Sequence, residues 1–531
     1  MRTGMLALML VATGACGESG GSSTDTESGS SSGGGSTGGQ TATETGAPSS
    51  STGAGSSSSG GDESSSGTTS GAVLTELETE VTQYPEQPMV VDVTVSGNAP
   101  LPETLALGHD DDPGVRIATI AEPDASSRTY RVRGLAPETA HAMTVSAGDI
   151  SAQVDFTTDA ALPGFIPAFA VRGEGSGERP WRMFDLNPFP EFTTSSLFMI
   201  DASGRTRFHL GQALDAEPGP DAVLAAAKLR DDGTVMLLSN HALRIIDELG
   251  HDVLRLEDDA LGITGLHHDV IELDTGNFVA LSNSFQTVDY PGVGPTLTAG
   301  DVLVEFTPDG EVVWQWDSFD EMDPLRITEP LEDGNPLVHP TSGEDTYDWT
   351  HANGVVLSPD GTQFIVSLRH QDWMIAINRD TRTIDWRLGP DGDFNLTEGR
   401  WFYHPHSPQW QADGSLLLYD NGVGRPDGPP FARVVRYTLD MSGENNTATQ
   451  VWEDDDQTFA APIAGDCDVL GPSGHYLVTD SAMFLATGAL PRVRELDPTA
   501  DPMTVWELSF PNDHFAYRTT GNDRLVGEAA R

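Results

Sequence analysis

Three histidines and one arginine are the side chains of this sequence best suited to chemistry. His268, His351 and His406 each stand at the start of the first strand of a repeated unit, in the strings HHD, HAN and HPHSP. Arg369 follows 18 residues after His351, at the end of the next predicted strand. A guanidinium donates two parallel hydrogen bonds to a tetrahedral oxyanion, and imidazoles add single donors. The set therefore predicts a cradle for a sulfate or phosphate group.

Histidines in such a cradle can take several roles. A ring nitrogen can attack a sulfuryl or phosphoryl group and form a covalent intermediate, which splits one difficult transfer into two easier ones. Structural histidines would instead hydrogen-bond loop carbonyls. A third alternative is a zinc site of the three imidazoles, which would need a carboxylate such as Asp269 to offset the charge of Arg369. We favour the anion site, with no metal and no cofactor.

The elements that must position these residues form an internal repeat. Each copy reads strand, Asp-Gly or Thr-Gly turn, strand, loop, strand, turn and a Trp-bearing strand, as in HANGVVLSPDGTQFIVSLR followed by WMIAINRDTRTIDWRLG. Such units predict an all-β, six-bladed β-propeller over residues 163–531, with a stacked solenoid as the alternative. Inner strands of a propeller line its central channel, so equivalent histidines of adjacent blades should converge at one mouth. The recurrent tryptophans are expected to wedge between blades: Trp314, Trp316, Trp386, Trp452 and Trp506.

Three segments precede the predicted propeller. In residues 1–16 a charged start, a short apolar run and small residues lead to Cys16, which predicts a lipoprotein signal with this cysteine lipidated. Residues 17–71 are almost all Ser, Gly and Thr and predict a flexible tether. Residues 72–160 alternate apolar and polar side chains between turns and predict a small β-sandwich, in which Tyr130 to Thr139 resembles a fibronectin type III module. We expect an exported lipoprotein, at the outer membrane, at the cell surface or in the periplasm, that touches the membrane only through its lipid.

Charge and cysteine content exclude several classes of partner and site. The formal net charge of -53 comes from 81 acidic and 28 basic residues, and this field repels phosphate backbones and anionic headgroups. We therefore expect no nucleic-acid partner. The chain has only two cysteines, Cys16 and Cys467, so neither a disulfide framework nor a thiolate metal site can be built.

The strings HHDVIELDTGNF, DWTHANGVVLSPDG, SLRHQDWMIAINRDTRTIDWRLG and HPHSPQWQADGSLLLYDNG resemble the bacterial arylsulfotransferase family. The likeness is strong from about Gly265 to Trp452 and extends weakly through FAYRTTGND near the C-terminus. It implies a six-bladed propeller behind a front β-domain, and a ping-pong sulfuryl transfer from an aryl sulfate to a phenol without a nucleotide sulfate donor. Small aromatic sulfate esters and phenols are the partners so implied.

The resemblance also assigns roles to individual residues. The family's nucleophile stands fourteen residues before the Asp of the strand-ending Asp-Asn-Gly, which here selects His406. His268, His351 and Arg369 match the sulfuryl-holding positions, and Asn353 is a fifth contact. The family's Gln-His-Asp around the nucleophile is replaced here by Pro405, His406 and Ser407, and the paired cysteines of some members are missing. The adjacent His267, His370 and His404 are treated as neighbours without a role.

Two other functions are consistent with the same residues. A catalytically silent surface propeller would bind a partner or glycan through its loops. A sulfate- or phosphate-ester hydrolase would use the same cradle with water as the acceptor.

Overall fold

The structure is a computed structural model that describes residues 73–109, 112–188, 195–211, 224–239, 242–331, 336–339, 342, 344–426, 428–457, 459–481, 491–511 and 514–530. The predicted signal and tether, residues 1–16 with Cys16 and residues 17–71, lie outside the described residues and stay predictions. Helix is confined to α1 (Asp258–Leu261), α2 (Ser318–Glu321) and a 3₁₀ turn (Arg369–Gln371) in these ranges. No helix in the part of the chain so described is long and apolar enough to cross a bilayer.

The first body of strands is a sandwich of two antiparallel sheets. One sheet has the order β1-β2-β5-β4 and the other the order β3-β6-β7. Alternate residues of β6, such as Met143 and Val145, point inward and pack against Val93 of β2. The predicted fibronectin type III-like sandwich is confirmed. Its strands are β1 (Leu77–Gln83), β2 (Val90–Gly97), β3 (Ala106–Gly108), β4 (Arg116–Asp124), β5 (Ser127–Arg133), β6 (Ala140–Ala147) and β7 (Ile150–Thr157).

Six further sheets, each built on four antiparallel strands, confirm the predicted six-bladed propeller. Among the first three blades, blade three is distinguished by a long hairpin and two extra strands. Blade one contains β9 (Trp181–Pro188), β10 (Ser196–Ile200), β11 (Thr206–Leu210) and the late strands β35 (His514–Phe515) and β36 (Thr519–Asn522). Blade two contains β12 (Ala225–Leu229), β13 (Val235–Ser239), β14 (Ala242–Ile246) and β15 (Asp252–Glu257). Blade three contains β16 (Thr264–Glu272), β17 (Phe278–Tyr290), β18 (Gly294–Phe306), β19 (Val312–Asp317), β20 (Pro336–Val338) and β21 (Asp345–Asp348).

The remaining blades repeat the same up-and-down order. An early strand, β8 (Ala170–Gly173), pairs with the outer edge of blade six. Blade four contains β22 (Ala352–Leu357), β23 (Gln363–Leu368), β24 (Trp373–Asn378) and β25 (Ile384–Leu388). Blade five contains β26 (Phe394–Glu398), β27 (Pro405–Trp410), β28 (Leu416–Asp420), β29 (Arg433–Asp440) and β30 (Asn446–Glu453). Blade six contains β31 (Asp466–Val469), β32 (Tyr476–Asp480), β33 (Arg492–Leu496) and β34 (Thr504–Ser509).

The innermost strands contact one another in a complete ring. Strand β12 contacts β16, and the contacts continue through β22, β27, β31 and β36 back to β12. Strand β36 reaches this position by pairing with β9, so blade one is assembled from both ends of the propeller sequence. The inner strands meet through contacts between blades, while each remains the inner edge of its own sheet.

Tryptophans of the outer strands pack across from one blade to the next, as predicted. The indole N–H of Trp314 in blade three donates to the Arg379 carbonyl of blade four at 2.7 Å. Trp506 in blade six donates likewise to the Ala202 carbonyl of blade one at 2.9 Å. These two indoles thus pack between blades and satisfy their single donor, whereas the indole nitrogens of Trp316, Trp386 and Trp452 are buried without a partner among the described residues.

Charged contacts fix the sandwich to the propeller. Glu248, in a turn of blade two, accepts hydrogen bonds from Arg131, at 2.5 Å, and from Arg133. The side-chain amide of Gln87 donates to the His209 carbonyl of β11 at 3.0 Å. Because these groups are largely buried, breaking one partner of a pair would leave an unpaired charge or donor at the interface.

Candidate functional site

The three predicted histidines converge along the inner strands of blades three, four and five: His268 lies in the middle of β16, His351 directly precedes β22 and His406 is second in β27. The ring centroids of His268 and His351 lie 4.9 Å apart. His406 is buried beside them: burial lowers its pKa well below the ordinary value, and the charges of Arg369 and His351 lower it further. A depressed pKa keeps this imidazole neutral at pH 7 and its free nitrogen available. The predicted convergence of blades is therefore present.

The local backbone brings the rings together although their registers differ. His268 and His406 each lie five residues before the residue that opens the next turn, whereas His351 lies seven residues before it. Asn353 occupies the register of the other two histidines, so the expected single shared position is wrong for His351. Both His268 (φ 58°) and His351 (φ 51°) adopt left-handed backbone conformations beside β-bulges. A bulge inserts extra residues and changes the direction of the side chains around it, so the ring of His351 still reaches the cluster despite its different register. The turn residues are Leu273, Ser358 and Gln411.

Arg369 lies in the same cluster, directly after β23. Its Nη2 donates to the Pro462 carbonyl at 3.1 Å, and its Nη1 contacts Nε2 of His370. Burial lowers the pKa of Arg369 to about 10, although Glu329 and other acids act in the opposite sense. Within the described residues its Nε has no hydrogen-bond partner. A buried, incompletely paired guanidinium is a strong site for an oxyanion.

The orientation of His406 is set by Asn421, which follows the aspartate of the Asp-Asn-Gly string and had no predicted role. The Asn421 amide nitrogen donates to the carbonyls of Ala461 at 2.5 Å and Ala464 at 2.7 Å. Its Oδ1 must then accept the proton on Nδ1 of His406, at 2.5 Å. In the neutral ring this leaves the lone pair on Nε2.

Asn353 connects two blades. Its amide nitrogen donates to the Pro405 carbonyl at 3.0 Å, and its Oδ1 accepts from the Ser367 hydroxyl at 2.5 Å. One end of the side chain thus holds the strand that carries His406, and the other end is fixed within blade four. Its predicted contact with the ligand stays a prediction.

His351 and His370 both contact Asp348. Nδ1 of His351 lies 2.5 Å from Oδ2 of Asp348, and Nδ1 of His370 lies 2.7 Å from the Asp348 carbonyl. Donor atoms of these three residues lie within 4.8 Å of one another, as in a metal site. The guanidinium of Arg369 touches His370, however, and would repel a cation there. Hydrogen bonding explains the set without a metal.

Arg518 belongs to the cluster and was missed as a site residue. It immediately precedes β36, and its guanidinium binds Asp269 at 2.8 Å and the Asn353 carbonyl at 2.6 Å. Burial opposes its charge, but Asp269 outweighs burial and raises the pKa of Arg518. The neighbouring Tyr517 ring lies 5.8 Å from that of His268. The string FAYRTTGND, already recognised as part of the resemblance, was the signal that could have identified it.

A segment of blade three lies against the cluster; residues 323–331 of it are called the strap. The guanidinium of Arg326 stacks 3.8 Å above the Trp373 ring, and the Thr328 hydroxyl donates to the His370 carbonyl. Oε1 of Glu329 lies 2.9 Å from Nε2 of His404. The strap is thus fixed to the cluster by these contacts, and His404 acts as one of its anchors.

Fold and geometry together define a β-propeller with a histidine and arginine cluster suited to a tetrahedral anion. The sequence model of the family described as Arylsulfotransferase (ASST) matches residues 174–518, well over half of the chain. The protein therefore belongs to the arylsulfotransferase family, and the predicted family membership is confirmed. No curated protein matches the sequence.

Solved structures resemble the chain only distantly. The hydrazine synthase of Kuenenia stuttgartiensis aligns over 68% of this chain and 90% of its own, with 11% identity and a TM-score of 0.32. The periplasmic gluconolactonase of Pseudomonas aeruginosa aligns over 64% of this chain and 96% of its own, with 12% identity and a TM-score of 0.32. Likeness at this level supports no inference about substrate or mechanism.

Proposed function

We propose that the protein transfers a sulfuryl group from an aryl sulfate ester to a phenol, by a ping-pong mechanism through a sulfohistidine on His406 and without a nucleotide sulfate donor. The observation that carries this is the tautomer of His406. Asn421 holds the proton on Nδ1, at 2.5 Å, and so leaves the Nε2 lone pair free. Family membership supports an aryl sulfate as the donor.

The first half-reaction loads the enzyme. Nε2 of His406 attacks sulfur, the N–S bond forms, the S–O bond to the aryl group breaks, and an imidazole of the cluster gives a proton to the departing phenolate. In the second half-reaction the acceptor phenol attacks sulfur and loses its proton to the same imidazole. The S–O bond forms, the N–S bond breaks, and the electron pair returns to Nε2.

The surrounding charges suit the sulfuryl group in transit. Arg369 and His351 approach from blade four, next to the buried ring of His406. Charge that builds on the sulfuryl oxygens as bonds exchange would be stabilised by donors fixed in advance. Asp348 holds His351 by a 2.5 Å contact and so limits the rotation of its ring.

The test is an intact-mass measurement on protein incubated with p-nitrophenyl sulfate alone. We expect one equivalent of nitrophenolate and one added sulfuryl group, followed by turnover once a phenol is supplied. The His406→Asn variant should show neither, whereas His475→Asn, in a turn of blade six beside Glu495, should behave as the unmodified protein.

Two results would favour the other functions. Turnover in water alone at the same rate as with a phenol points to an ester hydrolase. No nitrophenolate release from folded protein points to a silent propeller that binds a partner or glycan. Among these functions, only a transferase needs both the adduct and the acceptor.

We also propose that the chain is exported and anchored through a lipid on Cys16. The sequence of residues 1–16 supports this, since it has the charged start, apolar run and small residues of a lipoprotein signal. Labelling of the full chain with a radioactive fatty acid, lost in Cys16→Ser, is the expected result. Unlabelled, cytoplasmic protein in both cases would contradict it.

A further inference from the structure

His267 is a buried titratable residue that the transfer steps above do not use. Its Nδ1 lies 2.8 Å from Nδ1 of His268. Its Nε2 lies 3.3 Å from Oδ1 of Asp301, within ion-pair distance. Asp301 is buried and accepts hydrogen bonds from the Thr350 hydroxyl at 2.5 Å and the Ala352 N–H at 2.7 Å. The three groups form a chain from the histidine cluster to a buried carboxylate.

We propose that His268, His267 and Asp301 act as a relay that gives a proton to the leaving phenolate and takes one from the acceptor phenol. This deepens the proposed function and rests on it. His268 is the group that meets the phenol oxygen, and His267 and Asp301 are positioning residues behind it.

The electrostatics explain why a single ring does not suffice. Burial lowers the pKa of His268 well below its ordinary value, and the charges of His351 and His267 lower it further. A positive charge on His268 itself is therefore unfavourable. Moving its Nδ1 proton to His267 places that charge beside Asp301. Burial acts to raise the pKa of Asp301, but its hydrogen bonds outweigh burial and keep it ionised.

The proton balance closes over the two half-reactions. Before transfer, His267 carries protons on both nitrogens beside ionised Asp301, and His268 carries its proton on Nε2. The departing phenolate takes that proton while the Nδ1 proton of His267 passes to Nδ1 of His268. The acceptor phenol then gives its proton to Nε2 of His268, and the Nδ1 proton returns to His267.

His351 is suited to a different task. Its Nδ1 lies directly against the carboxylate of Asp348, so a positive charge on this ring is compensated where it stands. Such a cation, next to Arg369, stabilises the sulfuryl oxygens rather than the phenol oxygen. His351, next to Asp348, thus stabilises charge on the sulfuryl group, whereas His267, next to Asp301, supports proton transfer through His268.

The test compares His267→Asn with Asp348→Asn on aryl sulfates of decreasing leaving-group acidity. The side-chain amide of asparagine at residue 267 can donate a hydrogen bond to Nδ1 of His268 but cannot transfer a proton to it. A good leaving group needs little protonation, so release of p-nitrophenolate in a single turnover should fall less than about threefold. With unsubstituted phenyl sulfate, release should fall about 100-fold, the lower range of general acid catalysis. Asp348→Asn should lower both by the same factor.

The outcomes separate this inference from the proposed function. If the unmodified protein forms no sulfuryl adduct, the proposed function fails and the relay fails with it. If the adduct forms but His267→Asn slows every donor equally, the residue is merely structural and the relay is wrong. A leaving-group effect in Asp348→Asn alone would assign proton transfer to His351. Thermal unfolding of each variant checks folding, with His267→Gln as the replacement if the first is unstable.

Discussion

Two fully buried arginines, one in blade six and one in the histidine cluster, meet opposite electrostatic environments. Arg494 binds Asp480 at 2.6 Å and Asp454 at 3.0 Å, and these carboxylates outweigh burial and raise its pKa. Arg369 forms no salt bridge within the described residues, and burial lowers its pKa to about 10. Carboxylates therefore neutralise the buried guanidinium of Arg494, whereas the buried guanidinium of Arg369 is available to a ligand.

The difference shows how one scaffold separates stability from binding. A buried ion pair that loses one partner costs several kcal/mol, so the charges of blade six are bound to the fold. A guanidinium held by a carbonyl and an imidazole retains unsatisfied donors, which an oxyanion can satisfy on binding. Four variants, taken in order of decreasing effect, test whether buried charges of the fold and of the cluster differ in this way.

The largest effect should come from breaking the pair in blade six. Asp480 accepts from Arg494, from Arg492 at 2.8 Å and from the Tyr419 hydroxyl at 2.9 Å. Asp480→Asn should lower the free energy of unfolding by about 3–5 kcal/mol, because two largely buried guanidinium groups each lose one of their carboxylate partners. Chemical denaturation measures this. Asp497→Asn is the control: this carboxylate of the same blade is partly exposed and accepts hydrogen bonds from Thr499, and its replacement should change stability much less.

Arg369→Met should give the opposite pattern. We expect the sulfuryl transfer rate to fall by about 10²–10³-fold, as for loss of one preorganised donor. The free energy of unfolding should stay the same or rise, because a buried charge without a carboxylate partner is replaced by an apolar chain. Single-turnover kinetics and denaturation of the same preparation measure both quantities. A large loss of stability would show that Arg369 is as structural as Arg494.

Asp185 is a buried carboxylate that is held by N–H groups rather than by a cation, and its variant tests how such a group contributes to stability. Burial raises the pKa of Asp185 to about 6, although the N–H groups of Tyr517 and Arg518 bind it. The folded state then holds a proton that the unfolded state releases near pH 4, so this group's contribution to stability falls as pH rises from about 4 to about 6. The change is about 3 kcal/mol. The destabilisation caused by Asp185→Asn should therefore shrink over this range in thermal unfolding, and a constant difference would contradict the prediction.

The smallest effect should come from the strap. Glu329 binds His404 and is the most exposed acid next to Arg369. Glu329→Gln removes a charge that partly compensates the guanidinium and weakens an anchor of the strap. We expect a change of about tenfold or less in KM for the aryl sulfate, with kcat altered less, because a partly exposed ion pair contributes about 1 kcal/mol. Steady-state kinetics measure this, and a loss as large as that of Arg369→Met would place Glu329 in the chemistry.

Much of the architecture could be predicted because it is repeated locally. Strand, turn and Trp positions recur within each unit, so the six blades and the wedging tryptophans followed from the sequence. The convergence of His268, His351 and His406 followed from the same repeat. Arg518 could not be found in this way, since it enters the cluster only when β36 pairs with β9. Contacts between residues so distant in sequence leave no local pattern.

Finer features of the cluster also escaped prediction for physical reasons. The register of His351 depends on a bulge, and the sequence does not show which residue is left unpaired. The tautomer of His406 depends on Asn421, whose amide is fixed by carbonyls of a blade-six loop. From the sequence alone His267 had no role of its own, because that role depends on Asp301, which lies in a different strand. Proximity to a motif was predictable, but hydrogen-bond direction was not.

Closure by β36 means that assembly of the ring and of the anion cluster is a single event. A chain whose synthesis has not reached residue 522 has a gap in blade one, and until Arg518 is delivered Asp269 has only Lys228 of its two cationic partners. A nascent or C-terminally clipped chain should therefore be catalytically inert as well as incompletely folded. Under the proposed function, sulfuryl transfer would therefore start only after residues 518–522 have joined the ring.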